Sequence, residues 1–158
     1  MRADEVRTRE LLRAHDDPAH LEFPAGFDYE RTAARFGRLD AQLRAAFGTV
    51  HLWDGQDCSF HGGVEVPAER TAGGLLLRVM VSNFSGLTAV SSDRARYCDD
   101  AELAEVMHPV DAARVYGVLE DLGYVVLRLD PLEEMYDGVW APLRTQGARW
   151  WSRYFDYL

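Results

Sequence analysis

A chain of 158 residues that is 47% hydrophobic and 27% charged has the composition of an ordinary globular domain and the length to bury a core of its own, which excludes disorder over the whole chain. A net charge of −9 argues against nucleic acid and anionic membrane as partners and favours basic ones. The first residues hold no apolar export segment and nowhere do about eighteen apolar residues run together, so the expectation is one cytoplasmic domain over residues 1–158.

The charge is unevenly spread. Between Asp99 and Asp137 stand eleven carboxylates and two arginines, which accounts for the entire −9, while the rest of the chain balances fifteen acids with fifteen arginines. All seventeen basic residues are arginine, the mark of a GC-rich bacterial coding bias. Cys58 and Cys98 fit a reducing compartment, where such thiols stay free and buried.

In chain order, residues 3–15 predict a helix with Asp4 as its cap, Glu5 set four before Arg9, and a weak apolar side of Val6, Leu11, Leu12 and Ala14; Asp16, Asp17 and Pro18 end it. A stronger helix starts near Asp28, where Ala33, Phe36, Leu39, Leu43 and Phe47 recur at helical spacing, and stops at Gly48. Residues 49–54 and 57–61 then predict a tight hairpin about Gly55-Gln56, with Val64 and Val66 prolonging its second strand toward Pro67. Residues 75–83 and 87–91 predict two more strands about a turn at Phe84-Ser85-Gly86, and the short connections make the set antiparallel.

The acidic region predicts two helices, one capped by Asp99 or Asp100 and one entered through His108-Pro109, anchored by Leu119 and Leu122 and stopped by Gly123. A strand over 124–129, a loop through Asp130-Pro131 and Tyr136-Asp137-Gly138, and an aromatic segment from Ala148 complete the chain. The expected fold is α+β, an antiparallel sheet of four to five strands with helices on one face, in the order ααββββααβα.

Three constellations could carry chemistry. His51, Cys58 and His61 are metal-ligand types, but the predicted hairpin sets Trp53 opposite Cys58 and His51 opposite Phe60 while turning His61 to the other side. No metal and no cofactor are therefore expected. His51 or His108 beside Cys58 or Cys98 could form a nucleophile pair, and no orienting third group can be identified for it. Asp99, Glu102 and Glu105 fall near one helical face, a spacing that oxygen-ligated Mg²⁺ accepts, although acids in a first helical turn are expected simply as complements of the helix dipole. Adjacent pairs such as Glu120-Asp121 and Glu133-Glu134 diverge by about 100° on a helix.

The ending Trp150-Trp151-Ser152-Arg153-Tyr154-Phe155-Asp156-Tyr157-Leu158 is too rich in rings to be left loose in water, and as a helix it places Trp150 with Tyr154 and Trp151 with Phe155. Docking against the sheet is its expected fate, and an aromatic partner surface is the alternative. Together with Leu119-Glu120-Asp121-Leu122-Gly123-Tyr124-Val125 and Tyr136-Asp137-Gly138-Val139, this ending resembles an uncharacterised family of small bacterial α+β proteins that share a helix ending in Leu-Gly-Tyr, a Tyr-Asp-Gly loop and a final Trp-Trp-x-Arg-aromatic-Phe-Asp-Tyr. The resemblance covers about the last third of the chain. It implies a bacterial α+β protein without an assigned activity and carries over no catalytic residue. Small acidic proteins of this kind are often immunity partners of toxins, which is an analogy of type only.

The functional expectation is a non-enzymatic protein-binding domain, immunity-like, whose acidic face at Asp99, Asp100, Glu102, Glu105, Glu120 and Asp121, flanked by Trp150 and Trp151, engages a basic protein. The alternatives are a small enzyme with a His/Cys/carboxylate site and a subunit of a structural homo-oligomer.

Overall fold

The computed structural model describes residues 1–54, 59–92 and 99–156. The Gly55-Gln56 turn, Cys58, Cys98 and Tyr157 lie outside the described residues. Two helices come first. In α1 (Glu5–Ala14) the Asp4 carboxylate accepts from the Arg7 N–H and caps the helix, and Glu5 pairs with Arg9 at 3.2 Å across one turn. Its buried side is Thr8 and Leu12, whereas Val6 is exposed. In α2 (Tyr29–Phe47) Asp28 caps the N-terminus, Leu39, Leu43 and Phe47 are buried, and Gly48 closes the helix at φ +92°.

The strands β1 (His51–Asp54), β2 (Phe60–Val66), β3 (Leu77–Ser82), β4 (Leu87–Ser92) and β5 (Val125–Val126) form a sheet in that order. The first three pairings are antiparallel and β4–β5 is parallel, so the sheet is mixed and not antiparallel throughout. Two helices intervene between β4 and β5, namely α3 (Asp100–Val106) and α4 (Pro109–Asp121), and a helical crossover of that length is what a parallel pair requires. Both begin as the sequence implies: Asp99 accepts from the Glu102 N–H, and His108 Nδ1 accepts from the Val110 N–H ahead of Pro109.

The β1–β2 register departs from the predicted hairpin. His51 pairs with Glu65 and Trp53 with Gly63, in place of Phe60 and Cys58. The physical cause is a pair of glycines that the hairpin reading left unused. A Cβ on Gly63 would stand 2.3 Å from the Trp53 ring, and one on Gly62 would stand 3.0 Å from Phe36 of α2. Consecutive strand residues face opposite sides, so these two glycines admit an aromatic ring on each face of β2, and a bulge between Phe60 and Gly62 absorbs the offset.

Gly62, Val64 and Val66 align with Val81, Val79 and Leu77 on the side that Phe36 covers, and α2 packs in turn on α4. A second helical group consists of α1 with α5 (Leu129–Glu133) and α7 (Trp150–Phe155), and α7 brings it against β3. All six residues of β4 are buried, which needs cover on both faces, where the sequence implied cover on one. The region read as a loop after β5 contains α5 and the short α6 (Ala141–Thr145). The strand predicted over 124–129 is only two residues long because Leu129 already belongs to α5.

Candidate functional site

The acidic stretch is not one surface. Arginines remote in sequence neutralise part of it: Arg9 meets Glu134 at 2.6 Å, Arg13 meets Asp137 at 2.9 Å and Arg149 meets Glu133 at 3.4 Å. The Arg13 hydrogen bond holds the Asp137 carboxyl below the usual carboxylate range. Asp100 turns inward from α3, 3.3 Å from Arg128, and its Oδ2 accepts from the Asp130 N–H while Asp130 Oδ1 accepts from the Asp100 N–H. Asp111 is buried, with its two oxygens accepting from the Ala72 and Gly73 N–H groups at 2.9 and 3.0 Å. It ties α4 to the β2–β3 connection.

What stays exposed is Asp99, whose carboxylate caps α3, together with Glu102 and Glu105 on α3 and Glu120 and Asp121 at the end of α4. Among the described residues the last four have no cationic partner. Between them the outward side of α4 presents Val110, Ala113, Arg114 and Gly117. The predicted carboxylates thus split: Asp100 is structural, Glu102 and Glu105 are exposed on α3 beyond Asp99, and Glu120 and Asp121 are exposed at the C-terminal end of α4.

The histidines do not assemble. His51 is exposed on β1, an outer strand of the sheet; His108 is exposed and engaged as a cap; His61 lies 3.1 Å from Asn83 and edge-on to Phe36. Among the described residues no group of three His, Cys, Asp or Glu side chains could hold a metal ion. The Cys58 and Cys98 halves of the nucleophile reading lie outside the described residues. Also among the described residues, no helix is long and apolar enough to cross a membrane.

The aromatic ending is docked. Trp150 is 2% exposed, edge-on to Tyr136 at 4.7 Å, and offers no surface to a partner; Trp151 is partly exposed beside Phe155. The centre of this packing is Asp16, which the sequence showed only as a helix stop. Its carboxylate accepts from the Tyr136 hydroxyl at 2.7 Å, from the Val139 N–H at 2.8 Å and from Arg153 Nε at 3.0 Å. Arg153 donates further to the Leu21 and His20 carbonyls, at 2.8 and 3.2 Å, and its guanidinium packs against Phe84 and Tyr154, whose rings meet each other edge-on at 5.4 Å.

Gly138 is needed beside this pair, because a Cβ there would stand 2.0 Å from Asp16 Oδ2. The Tyr-Asp-Gly and Trp-Trp-x-Arg motifs are therefore two halves of one buried clasp around Asp16. Every polar group of that clasp is satisfied, which leaves no position for a reacting atom. The Tyr136 phenol is pushed up to about 12 by burial and by its bond to Asp16, so it stays neutral.

The chain is thus an α+β protein with a mixed sheet, a buried clasp around Asp16 and exposed carboxylates on α3 and α4. Compared with protein-family models, with curated proteins and with solved structures, the chain matched none.

Proposed function

We propose that the protein is a non-enzymatic binding domain that engages a basic protein through the ridge of Glu102, Glu105, Glu120 and Asp121, with Asp99 at its edge. Neutralisation of a basic toxin, as immunity proteins do, is the most concrete form of this reading. The observation that carries it is that these four exposed carboxylates have no cationic partner among the described residues, while Glu133, Glu134 and Asp137 of the same stretch each have one. Unpaired exposed charge steers an oppositely charged surface toward encounter. Val110 is 44% exposed on the same helix and supplies an apolar contact for a docked partner. The likeness of the C-terminal third to small bacterial α+β proteins adds only the setting, since that resemblance assigns no activity.

The test compares the full chain with a variant carrying Glu102→Gln, Glu105→Gln, Glu120→Gln and Asp121→Asn, used as bait in lysate at low and high salt. A basic protein held by the wild type, released by salt and lost from the variant supports the reading. The captured protein's own activity should then fall when the wild type is added back. Identical captures by the two baits would reduce the ridge to a solvated surface, since an exposed charge acts over only about 8 Å at physiological ionic strength.

A further inference from the structure

Behind the ridge, α3 and α4 form one wall of a cleft of about 190 Å³, whose other sides are the segment at Arg2 and the turn at Arg128. Its charges do not cancel. Asp100 is balanced by Arg128 at 3.3 Å and by the Asp130 N–H, which leaves Arg2 in excess. The Arg2 guanidinium sits 4.0 Å from the centre of the Tyr116 ring, and among the described residues no carboxylate reaches it. Among the described residues Arg128 Nε is buried without a hydrogen bond, because its approach to Asp100 lies outside hydrogen-bonding geometry. The rest of the lining is mostly apolar, with Leu103, Met107, Ala112 and the Tyr116 ring on which Arg2 rests.

We propose that this cleft binds a small monocarboxylate with a compact apolar body. The carboxylate lies between Arg2 and Arg128, where planar guanidinium donors match its two oxygens, and the body lies on Leu103, Met107 and Tyr116. A net lining charge of one fits a monoanion. A phosphate dianion would place its second charge against Asp100, so the same geometry excludes it. A cleft of this size has room for several waters, which suits a branched short-chain or single-ring acid. This site is independent of the acidic ridge, none of whose four carboxylates lines it, and a protein partner is not needed to fill it.

The experiment titrates isobutyrate and benzoate into the intact protein while following the methyl resonances of Leu103 and Met107, with benzyl alcohol and inorganic phosphate as controls. Saturable shifts with a dissociation constant of roughly 0.1–1 mM are expected for at least one acid and for neither control. Arg2→Gln is expected to weaken binding about tenfold without moving the unfolding midpoint, since the Arg2 side chain is exposed. Ala104→Leu, at an exposed position on the rim, closes the cleft and abolishes the shifts while Arg2 and Arg128 remain. The proposal is overturned if neither acid saturates by about 20 mM, if benzyl alcohol binds as well as benzoate, or if folded Arg2→Gln binds like the wild type.

Discussion

Replacing Arg153 with methionine tests whether the Asp16 clasp holds the C-terminal segment to the fold. Methionine keeps an unbranched stem beside the Phe84 and Tyr154 rings, so the apolar packing changes little while the charge is lost. Both partners are closed to water, with side chains 0% and 1% exposed. Removing one partner of such a pair leaves an uncompensated buried charge, a loss of about 3–5 kcal/mol. The carbonyls of His20 and Leu21 lose their donors as well. At about 2–4 °C per kcal/mol for a chain of this size, the midpoint falls by roughly 6–20 °C. Urea unfolding followed by tryptophan fluorescence measures the loss, with the denaturant slope unchanged if the transition stays two-state. Asp16→Asn should cost a similar amount, and the double variant should be less unstable than the sum of the two by about 1–3 kcal/mol. A loss under about 1 kcal/mol for Arg153→Met, or strict additivity in the cycle, would refute the view that this ion pair closes the fold.

Other outcomes follow from single groups. Tyr124 and Tyr136 are each pushed up to about 12 by burial. An unfolded tyrosine ionises near 10, so the stability that these neutral phenols provide is complete below about pH 10 and is lost as the pH rises toward 12. A pH series of urea midpoints checks this. The Tyr124 hydroxyl is buried without a hydrogen-bond partner among the described residues, so Tyr124→Phe should be neutral or stabilising by up to about 1–2 kcal/mol and should flatten the alkaline loss. His15 is half-buried, and burial with the charge of Arg153 holds it below its ordinary 6.5. Its contribution is therefore complete above that value and lost as pH falls below it through the lower folded-state value, and His15→Gln should remove that part of the acid sensitivity. Asp111→Ala orphans the Ala72 and Gly73 N–H groups and should cost about 1–3 kcal/mol by thermal unfolding, against a smaller loss for Asp111→Asn. Gly63→Ala forces a Cβ into the Trp53 ring and should cost about 1–3 kcal/mol, with most of it recovered in combination with Trp53→Leu.

The first four helices were legible because their signals are local, whereas α5 and α6, which lack a side-chain cap, read as loop. Asp4, Asp28, Asp99 and His108 cap the elements that their positions announce, and the apolar spacing of Leu39, Leu43 and Phe47 names the buried side of α2. The strands themselves were equally plain, but their partners were not. Register at β1 depends on Gly63 yielding to Trp53, a contact between residues whose relation exists only once the hairpin is closed. The parallel β4–β5 pair was hidden by reading the short connections of the first four strands as a rule for the fifth.

Electrostatics was the least legible level, because a charge count along the chain cannot know which acids meet an arginine. Arg9, Arg13 and Arg149 come from either end of the sequence to Glu134, Asp137 and Glu133, and this narrows the apparent acidic block to the ridge on α3 and α4. Asp16 is the same lesson inverted. It looked like a residue that ends a helix, and burying it is tolerable only because Arg153 lies 137 positions away in sequence and 3.0 Å away in space. A carboxylate so placed has its role fixed by its partners, which is why the proposed binding surface is confined to acids that have no cationic partner among the described residues.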